Sequence, residues 1–106
     1  GPAKIKGLMK KFREEAPKDF AGQKVAATED FSNNTKTLAD GTVEELGIPE
    51  SNVLRYVLAD GTWIAIRPSG TEPKLKYYIG TSADTLDGAK QKLVDFEKAL
   101  QEFAEA

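Results

Sequence analysis

The chain has 106 residues, 40% of them apolar and 30% charged, with a formal net charge of −2 and neither cysteine nor histidine. That length holds one domain around one two-layer core, so residues 1–106 are read as a single unit. Without Cys or His there is no disulfide, no thiolate or imidazole metal ligand, no thiol nucleophile and no imidazole general base.

Nothing functional is read into the opening Gly1-Pro2 pair. Residues 3 to 16 place Ile5, Leu8, Met9 and Phe12 at the i, i+3, i+4, i+7 spacing of one apolar helical face. The pattern predicts a first helix closed by Pro17, which disfavours helical geometry in the residue before it and supplies no backbone donor. Gly22 to Phe31 reads as a strand with weak alternation around Val25 and Ala27. Residues 32 to 51 carry repeated turn signals, Ser32-Asn33-Asn34, Asp40-Gly41 and Gly47-Ile48-Pro49, and are expected to form a long, partly ordered connection. Asn33-Asn34-Thr35 has the spelling of a glycosylation sequon but is taken as polar loop.

From Asn52 to Ala59 the chain alternates, with Leu54, Tyr56 and Leu58 on one parity, and Asp60-Gly61 is expected to make a two-residue turn into a strand over Thr62 to Arg67. After a loop at 67–74, Leu75 to Thr81 reads as a fourth strand. Asp84 or Thr85 then caps a last helix carrying Leu86, Leu93, Phe96, Leu100 and Phe103. Four strands joined by turns pair most simply antiparallel, and two amphipathic helices must bury their stripes on one sheet face. The expectation is an α+β two-layer sandwich of order α-β-β-β-β-α, with a four-stranded antiparallel sheet whose other face is left to solvent or a partner domain.

No run approaches the roughly 20 apolar residues that span a bilayer, and no leader pattern opens the chain, so a cytoplasmic protein without membrane contact is expected. Lysine and arginine are dispersed through a net acidic chain, which disfavours nucleic acid as a partner.

The chemistry concentrates in Arg67-Pro68-Ser69-Gly70-Thr71-Glu72-Pro73-Lys74. Arg67 offers a planar fork that meets two phosphate oxygens at once, and Ser69 and Thr71 offer hydroxyl donors. Gly70 would let the backbone bend so that successive N–H groups point into one anion-holding concavity, and Pro68 and Pro73 stiffen the two ends. If Ile64, Ile66 and Tyr77 face the helices, parity puts Arg67 and Lys76 together on the open face. The plain alternative is a turn built from good turn formers and bordered by solvated charges. Against it, a hairpin needs only about 2 to 5 loop residues, fewer than this donor-rich connection has.

Asp60-Gly61-Thr62-Trp63, the run RPSGTEPK at 67–74, and Leu75-Lys76-Tyr77-Tyr78 together resemble the C-terminal domain signature of the α-D-phosphohexomutases. That superfamily includes phosphoglucomutase, phosphomannomutase and phosphoglucosamine mutase, and the order of elements agrees with its fourth domain over essentially the whole chain. The resemblance implies a TATA-binding-protein-like sandwich whose loop grips the phosphate of the sugar that is not reacting. Arg67, Ser69, Gly70 and Thr71 match that loop one for one, and Lys76 falls where a basic residue often completes the site. Glu72 and Lys74 belong to the motif as loop-shaping residues. Lys74 with the following Leu-Lys-Tyr-Tyr leans towards the phosphoglucomutase branch.

Phosphoryl exchange in such enzymes uses a phosphoserine and magnesium held on an aspartate-rich loop, with a hexose bisphosphate activator. Neither loop is here: no serine lies in a Ser-His-Asn context, and Asp40-Gly41 and Asp60-Gly61 are single pairs explained by turns. No cofactor is therefore expected in this domain. Ser69 is a donor and not a nucleophile, since no base or oxyanion partner accompanies it. Glu14-Glu15 and Glu44-Glu45 read as solvated charge. The favoured function is a monomeric, inactive domain of a larger hexose phosphate mutase, working with the other domains of its parent chain; the alternative is a free-standing, non-catalytic module that binds phosphate or phosphosugar. An upstream coding region with phosphoserine and metal-loop sequence would separate them.

Overall fold

The computed structural model describes residues 2–106, so Gly1 lies outside the described residues. The first helix, α1 (Pro2–Glu15), opens on a proline, which is tolerated where the N–H would have no intrahelical partner. It ends where Ala16 adopts φ 43°, the left-handed conformation that stops helices, with Pro17 behind it. The last helix, α2 (Leu86–Glu105), is capped by Thr85, whose hydroxyl accepts the Gly88 N–H at 3.0 Å.

Between the helices lie β1 (Asp19–Phe20), β2 (Gln23–Asp30), β3 (Thr35–Leu38), β4 (Val43–Glu45), β5 (Leu54–Leu58), β6 (Trp63–Pro68) and β7 (Leu75–Gly80). Six of them form one sheet in the order β4-β3-β2-β5-β6-β7, with β1 paired to β2, and every pairing is antiparallel. Leu54, Tyr56 and Leu58 of β5 and Ile64 and Ile66 of β6 are buried against Met9 and Phe12 of α1 and Phe96 and Leu100 of α2. Both helices thus cover one face, as the two-layer reading requires. The Tyr56 hydroxyl, enclosed in this core, donates to the Phe12 carbonyl at 3.2 Å.

The sheet is larger than the four strands read from the sequence. Asp19–Phe20, Thr35–Leu38 and Val43–Glu45 are strands as well, and the last two build a hairpin inside the segment expected to be a partly ordered connection. All three residues of β4 are exposed, so this edge is held by backbone pairing and carries no apolar alternation to betray it. The sequence Leu-Ala-Asp-Gly-Thr occurs twice, at 38–42 and 58–62, and makes the same turn both times. In each, the glycine N–H bonds to the leucine carbonyl and the aspartate Oδ1 accepts the threonine N–H at 2.9 Å. Gly41 and Gly61 sit at φ 91° and 88°. The turn before β6 is therefore a three-residue Ala59-Asp60-Gly61 connection closed by a left-handed glycine, not the two-residue turn expected. Among the described residues no helix is long and apolar enough to cross a membrane.

Candidate functional site

The β6–β7 hairpin carries the loop, and its register is fixed at the end away from the loop. Thr62 Oγ1 and Thr81 Oγ1 are hydrogen-bonded at 2.7 Å, and Trp63 pairs with Gly80, where a Cβ would fall on the indole ring. Because the side-chain period of a strand is two, a slip of one residue would invert every side chain of β7. The pinned register instead puts Arg67 directly opposite Lys76, and Ala65 opposite Tyr78. Ile64, Ile66 and Leu75 are buried under the helices, so Arg67, Lys76 and Tyr78 share the open face, as parity indicated for the first two. Tyr77, on the helix side, lies edge-on to Phe12 with ring centroids 6.4 Å apart.

Three of the candidate residues lie in the loop itself. Its base is closed by the Ser69 N–H donating to the Lys74 carbonyl and the Lys74 N–H to the Glu72 carbonyl, both at 2.8 Å. Ser69 Oγ accepts the N–H groups of Thr71 at 3.3 Å and Glu72 at 3.1 Å. This differs from the glycine-bent nest read from the sequence. Gly70 has an ordinary φ and open space where a Cβ would stand, and the N–H groups of residues 71 and 72 turn onto the loop's own serine. The physical reason is proximity: a hydroxyl tethered two or three residues away is the nearest acceptor for these donors. With its oxygen accepting two bonds, the serine O–H hydrogen is left to donate outward. Glu72 and Lys74 form an exposed ion pair at 3.4 Å.

Arg67 and Lys76 are brought together on the sheet, while Ser69, Gly70 and Thr71 line a groove of about 930 Å3 between the loop and the exposed residues Lys6 and Lys10 of α1. The floor of that groove is apolar, with Ile5, Met9, Pro68 and Pro73. Arg13, also at the groove, is spent on structural partners, bonding Asp30 at 3.1 Å and Asn52 at 2.7 Å. Among the described residues neither Arg67 nor Lys76 forms an ion pair, whereas Arg55 on the same face is neutralised by Glu29 at 2.7 Å.

The sequence reading passed over Tyr78. Its hydroxyl accepts from Arg67 Nη2 at 3.1 Å and, more weakly, from Nε at 3.4 Å, and the guanidinium carbon lies 5.6 Å from its ring centroid. The Arg67 hydrogen bond, followed by the positive charges of Arg67 and Lys76, holds the Tyr78 hydroxyl below the usual phenol range. The signal was available, since residue 78 has the same strand parity as Lys76. Among the described residues no group of three or more acidic side chains converges.

Residues 8–96 match the family of phosphoglucomutase/phosphomannomutase C-terminal domains, and the chain belongs to that family. It is 44% identical to a phosphoglucomutase of Staphylococcus epidermidis over 96 residues, which covers 90% of this chain and 17% of that protein. A phosphoglucomutase of Staphylococcus aureus is 42% identical over 94 residues (88% and 17%), and one of Staphylococcus haemolyticus 38% identical over 97 (91% and 18%). The chain thus spans about a sixth of the length of these relatives.

Proposed function

We propose that this chain is the phosphate-binding domain of a cytoplasmic phosphoglucomutase-type enzyme that interconverts hexose 1-phosphate and hexose 6-phosphate. Arg67, Ser69, Gly70, Thr71 and Lys76 grip the phosphate that is not reacting. The observation that carries this reading is the opposed pair Arg67 and Lys76, free of carboxylate partners among the described residues, at the root of a hydroxyl-bearing loop in a chain of this family. Two uncompensated cations on adjacent strands repel each other, and an anion between them removes that cost.

A phosphate oxygen entering the loop takes over from Ser69 Oγ as acceptor of the Thr71 and Glu72 N–H groups, while the serine hydroxyl turns to donate. Gly70, which this loop conformation does not need, keeps the backbone bare where the ligand approaches. Phosphoryl transfer, magnesium and the bisphosphate activator belong to other domains of the parent chain, so the isolated domain binds without catalysing.

The test is a thermal melt of the purified chain against inorganic phosphate, paired with a mutase assay. Saturating phosphate raises the melting temperature, as any ligand selective for the folded state must. Conversion of glucose 1-phosphate to glucose 6-phosphate stays at background. A melting temperature indifferent to phosphate removes the binding role, and turnover by the isolated chain removes the division of labour.

A further inference from the structure

We propose that Tyr78 is a positioning residue, which aims the Arg67 guanidinium at the anion through its hydroxyl and its ring face. The inference rests on Arg67 being a phosphate ligand. An arginine alone on an exposed strand has many rotamers, and fixing one on binding costs roughly 0.5 to 1.5 kcal/mol. Here the side chain already has a partner that favours one conformation. Arg67 and Tyr78 are diagonal neighbours across β6 and β7, a spacing within reach of long side chains. The Tyr78 oxygen takes the Nη2 and Nε hydrogens along one edge of the guanidinium, and the ring lies 5.6 Å from the guanidinium carbon. That leaves both Nη1 hydrogens and the second Nη2 hydrogen, and one from each nitrogen makes the parallel pair suited to two oxygens of a phosphate. Since the oxygen accepts from Arg67, the tyrosine hydrogen points away from the guanidinium and does not compete for it.

A core role does not explain the placement, because Tyr78 is 40% exposed and lies on the face away from the helices. The lowered phenol range noted above reflects the same contact and adds no separate weight. Phenylalanine at this position keeps the ring and the cover over the arginine stem but loses the acceptor.

The experiment titrates inorganic phosphate into four labelled chains: the parent, Tyr78→Phe, Arg67→Lys, and the double substitution. Expected is a 3- to 10-fold weaker affinity for Tyr78→Phe, matching about 0.7 to 1.4 kcal/mol for a lost orienting hydrogen bond. The Arg67 Nε–Hε resonance should move even without phosphate, while the melting temperature stays unchanged. In the Arg67→Lys background, where an ammonium makes no two-point fork, Tyr78→Phe should change affinity by less than about twofold. Affinity equal to the parent for Tyr78→Phe, or the same loss in both backgrounds, overturns the inference while leaving the phosphate site standing. A parent chain that does not bind phosphate removes the reading beneath it, and the inference with it.

Discussion

Arg67 and Lys76 face each other directly across β6 and β7, two positive charges in register with no carboxylate paired to either among the described residues. Like charges directly opposite in a sheet destabilise it by a few tenths of a kcal/mol, screened by salt. Lys76→Thr, which keeps a strand-forming residue, should raise the melting temperature in phosphate-free, low-salt buffer and lower it relative to the parent once phosphate is saturating. This crossing of two melting curves distinguishes a binding site from an indifferent surface pair. A variant that is less stable in both buffers would argue against it.

The register that creates this pair depends on contacts at the opposite end of the hairpin. A Cβ on Gly80 would fall on the Trp63 indole, whose ring also lies 5.5 Å from the Arg55 guanidinium carbon. Gly80→Ala should therefore displace the indole and cost about 1 to 3 kcal/mol, the usual range for overpacking. Tryptophan fluorescence, from the single tryptophan of the chain, should shift to the red in the native state. An unchanged emission maximum and denaturation midpoint would show that the ring moves aside freely.

Alkaline stability should be governed by Tyr56. Burial pushes its hydroxyl far above the ordinary phenol range, with nearby Arg13 opposing the shift and Asp30 adding to it. A group whose folded pKa is raised contributes stability in full below its unfolded value of about 10, and loses it as pH climbs towards the folded one. The free energy of unfolding should accordingly fall from about pH 10 upward. Tyr56→Phe should flatten that slope, at a cost near neutrality of about 1 kcal/mol for the lost bond to the Phe12 carbonyl. Equal slopes in the two proteins would place the alkaline transition elsewhere.

How much of this was legible in the sequence depended on whether side chains or backbone held an element. Ile64, Ile66, Leu54, Tyr56 and Leu58 alternate because they line a core, so β5 and β6 could be read and the open-face position of Arg67 and Lys76 followed by parity. The hairpin of β3 and β4 lies at a solvated edge and has no such pattern. Its only advance signal was the second copy of Leu-Ala-Asp-Gly-Thr, since the same residues demand the same turn. At the site, the residue types of the loop could be read but not its internal bonding. That Ser69 would accept from Thr71 and Glu72 depends on loop geometry, and that Tyr78 would hold Arg67 depends on which strand residues lie diagonal to one another.

Under the proposed role the loop reads charge and tetrahedral oxygen geometry, and none of its groups is directed at a sugar ring. Glucose 1-phosphate, glucose 6-phosphate and mannose 6-phosphate should bind the chain within about threefold of one another, a difference under roughly 0.7 kcal/mol. Calorimetric or NMR titrations with each ligand check this. A tenfold preference would mean that the domain recognises the ring as well.

The most direct measurement is a phosphate titration of the isotopically labelled chain, followed residue by residue by NMR and repeated with Arg67→Ala. Saturable shifts should be confined to Arg67 through Lys76 and to Tyr78, with an affinity on the order of millimolar from so few contacts. Arg67→Ala should weaken it by about 1.5 to 3 kcal/mol, the loss of a charge-assisted bidentate contact. Shifts that leave Arg67 and Lys76 unmoved, or an Arg67→Ala chain that binds as tightly as the parent, would contradict the proposed site.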